Sequence, residues 1–124
     1  MNAGENVALP LSFRGISKSE RIKRAKKYLE LVGLEKFMNH MPNQMSGGQQ
    51  QRVGIARALV VDPEIIFADE PTGNLDSKNR DVILSLFRQE QKEGRAIVMI
   101  THDTEAARAA DQVLLLEGGA LYEA

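Results

Sequence analysis

Two unbroken apolar runs, Ile65-Ile66-Phe67-Ala68 and Ala96-Ile97-Val98-Met99-Ile100, constrain this chain more than any other feature. Each has the length of a strand, and neither alternates polar with apolar residues, which is the mark of a strand shielded on both sides. Between them, Ser77 to about Lys92 reads as a helix carrying Val82, Ile83, Leu86 and Phe87, with Gly94 ending it. Strands of this kind alternating with helices imply a parallel α/β sheet covered on both faces.

The first half is helical in character. Asn6-Val7-Ala8-Leu9-Pro10-Leu11 is expected to be an extended or irregular lead-in, because Pro10 interrupts it. Ser17 and Glu20 have capping-box spacing, and Ile22, Ala25, Leu29 and Val32 follow at helical intervals up to a C-capping Gly33. A short helix near Glu35 to His40 should stop before Pro42, and a third should run from Ser46 to about Val60. After the second strand, Thr104 to Ala110 reads as a short helix. Val113 to Leu116, Gly118-Gly119 and Leu121-Tyr122 read as a terminal hairpin. Residues 1–60 are thus expected to form a helical subdomain and residues 61–124 the α/β part.

Composition narrows the function classes. The 124 residues are 43% hydrophobic and 27% charged, ordinary globular usage for one domain. A formal net charge of -1 gives no global pull toward nucleic acid or anionic lipid. The basic cluster Arg21, Lys23, Arg24, Lys26 and Lys27 lies between Glu20 and Glu30 with no aromatic residues interleaved, so it reads as the solvated side of a helix, and no nucleic-acid partner is expected. Without cysteine there is no disulfide or thiolate metal site. No run of ~18 apolar residues is present, so any membrane role would act through a partner.

Three segments carry chemistry. Met45-Ser46-Gly47-Gly48-Gln49-Gln50-Gln51-Arg52 is a small-residue turn opening a helix. Ser46 can cap it, and Gly47 and Gly48 let a ligand approach the backbone, where free N–H groups and the positive dipole end favour phosphate. The same residues also suit an ordinary helix start, and the glutamines read as a solvated face. The first apolar strand ends in Asp69-Glu70, at the edge where open α/β sheets bind ligands. Asp69 could hold Mg²⁺ and Glu70 could polarise an attacking water, or the pair could simply mark where a strand meets solvent. The second strand ends in Thr101-His102-Asp103, presenting an imidazole at the same edge. Alternatively Asp103 or Thr104 caps the next helix and His102 merely packs. His40 reads as a solvated helix-end residue.

Taken in order, these segments resemble ATP-binding-cassette (ABC) ATPases. Met45 to Val53 is similar to the family's signature motif, with Met45 standing where leucine is usual. Ile65 to Glu70 resembles the Walker B strand with its catalytic glutamate, Gly73-Asn74-Leu75-Asp76 the D-loop, and His102 the switch histidine. Asp69-Glu70-Pro71-Thr72-Gly73-Asn74-Leu75-Asp76-Ser77, with Glu5 to Leu11 upstream, further resembles the branch serving lipoprotein release, macrolide export and cell division.

The resemblance implies a P-loop NTPase-like (RecA-like) partial parallel sheet, with residues 1–60 as the helical subdomain and 61–124 as the C-terminal part of the ATPase core. It also implies roles. Ser46, Gly47, Gly48 and Gln49 would bind ATP held by the opposite domain of a head-to-tail dimer. Asp69 would serve Mg²⁺, Glu70 and His102 would be catalytic, and Asp76 would carry communication across the dimer. The implied partners are a second ATPase domain and a transmembrane permease subunit, which would place the protein in the cytoplasm against the inner face of the membrane.

One departure is large. No Gly-x-x-x-x-Gly-Lys-Ser/Thr loop occurs, and Ser12 to Ser19 lacks both glycines. The loop, its lysine, the Q-loop glutamine and the adenine-stacking aromatic are therefore expected ahead of Asn2 to Asn6, which resemble a point just after the Q-loop. Met1 is accordingly read as an internal start, a truncated gene or a cloned fragment. The isolated chain should bind nucleotide poorly, and a partial sheet should expose apolar faces that favour self-association or swapping. The alternative is a non-catalytic module that docks on a transporter or an intact ATPase domain through the Phe13 to Ala25 surface, its carboxylates vestigial.

Overall fold

The computed structural model describes residues 1–123. Helix α1 spans Ala3–Ser12 and corrects the expected irregular lead-in. Its start is fixed by a capping box: the Asn2 side chain accepts the Glu5 N–H at 2.8 Å and the Glu5 carboxylate accepts the Asn2 N–H at 3.0 Å. Pro10 sits inside the last turn, where little helix remains to be broken. Ala3, Val7, Ala8 and Leu11 are buried on one face, and that burial outweighs the proline.

Helix α2 (Lys18–Leu31) begins at the Ser17 cap and ends before Gly33, whose φ of +77° is readily reached only without a β-carbon. The expected helix near Glu35 to His40 is only a 3-10 turn over Glu35–Phe37, and Pro42 opens a second such turn, Pro42–Gln44. His40 is half buried against the Phe37 ring, 4.9 Å between centroids, rather than solvated. Helix α3 (Gly47–Leu59) packs against α1 and α2. Leu11, Leu29, Leu34, Leu59 and Val60 meet in the centre of this three-helix unit. The same core continues into the second half through Ile66, Ile83 and Phe87.

Strands β1 (Ile65–Asp69) and β2 (Ala96–Ile100) pair in parallel, Ile65 opposite Ala96 and Asp69 opposite Ile100, joined by helix α4 (Ser77–Lys92). Helix α4 buries Ile83, Phe87 and Glu90, spaced four and three residues apart, which is one helical face. The pair β1–β2 is covered on one side only, which corrects the expectation of two covered faces. Ile66, Ala68, Ile97 and Met99 turn toward the helices. Phe67 and Ile100 on the other face are 76% and 62% exposed, beside the exposed Ile65 and Val98. This is the bare apolar face expected of a partial sheet.

Arg95 ties the strand entrances together. It binds the Glu90 carboxylate at 2.7 Å, Asp62 at 2.8 Å and the Pro63 carbonyl. Burial works against its charge, and the two carboxylates more than restore it, so its pKa lies above the usual arginine value. Helix α5 is shorter than expected, Thr104–Ala107. Strands β3 (Leu114–Glu117) and β4 (Ala120–Glu123) form the expected hairpin, closed by Gly118 and Gly119 at positive φ.

Candidate functional site

The parallel register brings the ends of β1 and β2 side by side. The Glu70 N–H donates to the Ile100 carbonyl at 2.7 Å, extending the ladder by one bond. Glu70 itself has φ +47°, a left-handed conformation that is uncommon for a residue with a β-carbon. Its carbonyl then accepts the Gly73 N–H at 3.1 Å, turning the chain sharply out of the sheet.

That turn sends the Glu70 side chain across to the end of β2. The His102 backbone N–H donates to Glu70 Oε1 at 2.9 Å, and the Thr101 hydroxyl donates to Oε2 at 3.3 Å. Thr101 Oγ1 in turn accepts the Asp103 N–H at 2.9 Å. The imidazole of His102 is 98% exposed, with Nε2 3.6 Å from Glu70 Oε1. Glu70 and His102 therefore share one edge, and the ring reaches into solvent rather than packing. Asp103 caps α5 through the Glu105 N–H at 2.9 Å and pairs with Arg80 at 3.6 Å.

Asp69 ends β1 with an exposed side chain. Among the described residues no group of three or more His, Asp or Glu could hold a metal ion. A single carboxylate still suits Mg²⁺ when phosphate oxygens and waters complete the shell, so Asp69 fits that ion jointly with a nucleotide.

The start of α3 is a reciprocal cap. Ser46 Oγ accepts the Gln49 N–H at 3.2 Å, and Gln49 Oε1 accepts the Ser46 N–H at 2.9 Å. Ser46 keeps its hydroxyl proton for a ligand. A β-carbon at Gly47 would meet nothing within 4 Å, so its backbone faces open space in which a phosphate could approach. Gly48 is buried, and a β-carbon there would meet the Asn79 side chain at 2.6 Å. Asp76 caps α4 with Oδ1, which accepts the Asn79 N–H at 2.8 Å and the Asn79 amide at 3.0 Å. Gly48 thus joins the start of α3 to the start of α4.

The glutamine run is only in part the solvated face expected: Gln50 is exposed and Gln49 and Gln51 are half buried, and all three side chains engage backbone groups. Gln50 donates to the Pro42 and Met45 carbonyls, and Gln51 donates to the Pro71 carbonyl at 2.7 Å. Arg52 donates to the Val32 carbonyl at 3.0 Å. Gln51 therefore couples α3 directly to the loop that follows Glu70. Thr72 in that loop is buried, and its hydroxyl has no hydrogen-bond partner. An open cavity of about 600 Å³ lies elsewhere, between Val32, Gly33 and Arg52 on one side and Lys78, Val82 and Leu86 on the other. The contacts made by Thr101, Asn79 and Gln51 are not legible in the sequence, because nothing in their spacing distinguishes a side chain that reaches another element from one in water.

A parallel strand pair with two carboxylates at its C-terminal edge, joined through loops to a glycine-opened helix, is the arrangement of part of an α/β nucleotide-binding cassette. A family model described as ABC transporter matches residues 1–73. An ABC transporter ATP-binding protein of Methanocaldococcus jannaschii is 50% identical over 99% of this chain and 55% of its own length. The macrolide export ATP-binding/permease protein MacB of Chlorobaculum tepidum is 47% identical over 99% of this chain and 19% of its own length. The dimeric structure of MJ0796, a bacterial ABC transporter cassette, superposes with a TM-score of 0.85 at 47% identity, covering 98% of this chain and 54% of that one. A dimeric post-hydrolysis state of the same cassette, bound to ADP and Pi, also matches, with a TM-score of 0.85. The chain belongs to the ABC transporter ATP-binding family. It spans about half the length of the cassette relatives it matches. No helix among the described residues is long and apolar enough to cross a membrane.

Proposed function

We propose that these 124 residues furnish the signature-helix and Walker B portions of a cassette whose complete form hydrolyses ATP to drive a membrane permease. The observation that carries this reading is the placement of Glu70, its carboxylate clasped at the sheet edge with the His102 imidazole free beside it. Residues 1–60 act as the helical subdomain and 61–124 as the C-terminal part of the core, and the phosphate-binding loop comes from the remainder of a full-length cassette.

Glu70 acts as general base, accepting the proton of the water that attacks the terminal phosphate. His102 reaches the same phosphate from solvent and holds it by hydrogen bonding. Bound Mg²⁺ at Asp69 would neutralise charge on the phosphate oxygens. Ser46 donates its hydroxyl proton, and the N–H groups of Gly47 and Gly48 meet a phosphate presented by a second cassette in a head-to-tail dimer. Gln49 fixes Ser46 for that task through the cap, and Asp76 holds the α4 start beside the same interface. The working location is the cytoplasmic side of a membrane, reached through the permease.

Two measurements test this. In a complete cassette carrying this sequence, Glu70→Gln should retain ATP binding and lose most turnover, and undiminished turnover would remove Glu70 from the mechanism. Calorimetric titration of the 124-residue chain with Mg-ATP should show no binding. Saturable binding that weakens on Ser46→Ala would mean that this half builds a nucleotide site by itself.

A further inference from the structure

We infer that Thr101 is a positioning residue that aims the Glu70 carboxylate, an inference that rests on the hydrolytic role proposed for Glu70. The hydroxyl has one proton and two lone pairs. The Asp103 N–H occupies a lone pair at 2.9 Å, and the proton points to Glu70 Oε2 at 3.3 Å. The backbone N–H of His102 holds the other oxygen at 2.9 Å. Two donors on adjacent residues of one strand end therefore fix the plane of the carboxylate. Each oxygen keeps a lone pair for an incoming proton.

The imidazole cannot substitute for this clasp. It is 98% exposed and 3.6 Å from Glu70 Oε1, so water and ions screen whatever charge it carries. It is also needed for the phosphate, and a ring that swings toward ligand leaves Oε1. Thr101 is half buried, and its hydroxyl rotor is set by the Asp103 N–H, so it holds its bond whether or not nucleotide is present. The backbone of Glu70 is pinned as well, by Ile100 on one side and Gly73 on the other, which leaves the side-chain torsions as the freedom that Thr101 removes.

The test uses a complete cassette containing these residues, with kcat and KM for ATP measured for four variants. Thr101→Val keeps the shape and removes the proton. It should lower kcat about 10- to 100-fold, the scale of one hydrogen bond to a charged group, with KM within about 2-fold of wild type. Thr101→Ser restores the hydroxyl and should bring kcat back to within about 3-fold. Asp103→Asn keeps the backbone N–H on Thr101 and an acceptor for the α5 cap, removes only the charge that faces Arg80, and should leave kcat unchanged. Glu70→Gln is the reference for loss of the base. If Thr101→Val turns over normally while Glu70→Gln does not, Thr101 has no positioning role and the Glu70 reading stands. If Thr101→Ser is as impaired as Thr101→Val, or Asp103→Asn matches their loss, the effect is steric or general and the inference is overturned. If Glu70→Gln turns over normally, the general-base reading falls, and this inference falls with it.

Discussion

Gly48 and Asn79 are in such close contact that a β-carbon on the glycine would lie 2.6 Å from the asparagine side-chain oxygen. Moving Asn79 aside would break the hydrogen bond that its amide donates to Asp76 at 3.0 Å. Gly48→Ala should therefore destabilise the chain by about 1–3 kcal/mol, the scale of overpacking, although alanine is the better helix former. In an Asn79→Ala background the same change should be close to neutral. Urea unfolding of the four proteins in this cycle decides the matter, and equal effects in both backgrounds would show that the contact yields without strain.

Among the described residues, Glu90 and Arg95 make the one ion pair whose side chains are both largely shielded, at 6% and 15% exposure. Arg95→Ala would strand the Glu90 carboxylate in the core, and the expected loss is about 3–5 kcal/mol. The pair Glu90→Leu with Arg95→Met should recover most of it, because an apolar pair has no charge to desolvate. A double variant no more stable than Arg95→Ala would mean that the bonds to Asp62 and Pro63, not the buried charge, carry the effect.

Asp111 anchors the segment before β3 to the end of α4. Its carboxyl is held below the ordinary value of 3.8, first by the Gln91 amide and then by Arg88. A group with a lowered folded pKa adds stability that is present above its unfolded value and is lost as pH falls through its folded value. This anchor should therefore hold at neutral pH and release only on the acid side of about 3.8. An NMR titration of the Asp111 carboxyl carbon should give a midpoint that rises when Arg88 is changed to Ala. An unmoved midpoint would assign the shift to Gln91 alone.

Phe67 and Ile100 present an apolar surface on the uncovered side of the sheet. The isolated chain should associate with itself as concentration rises, and Phe67→Glu should suppress this without unfolding it. Sedimentation velocity over a concentration series measures both. A monomer at all concentrations would show that the face is tolerated in water.

Legibility followed the length scale of the signal. The four helix starts at Ser17, Ser46, Asp76 and Asp103 and the Gly118-Gly119 hairpin are local, so residue types a few positions apart reveal them. The edge shared by Glu70 and His102 is legible because two short apolar runs, each followed at once by polar residues, pair in parallel with few alternative registers. Helix α1 is less legible, since Pro10 argues locally against a helix and the packing on α2 and α3 that outweighs it is not displayed by sequence spacing. The bonds from Gln51 to Pro71 and from Thr101 to Glu70 span 20 and 31 residues, and no local pattern encodes them.

The backbone of Glu70 bears on selection as well as on chemistry. Holding a residue with a β-carbon at φ +47° is strained by about 1–3 kcal/mol, whereas glycine or asparagine adopts that conformation readily. A library screened only for soluble, folded protein should thus enrich Glu70→Gly and Glu70→Asn. A screen that requires turnover should discard both. If Glu70 is the base proposed above, folding and turnover pull in opposite directions on this one peptide unit, and the directions of drift under the two pressures reveal it.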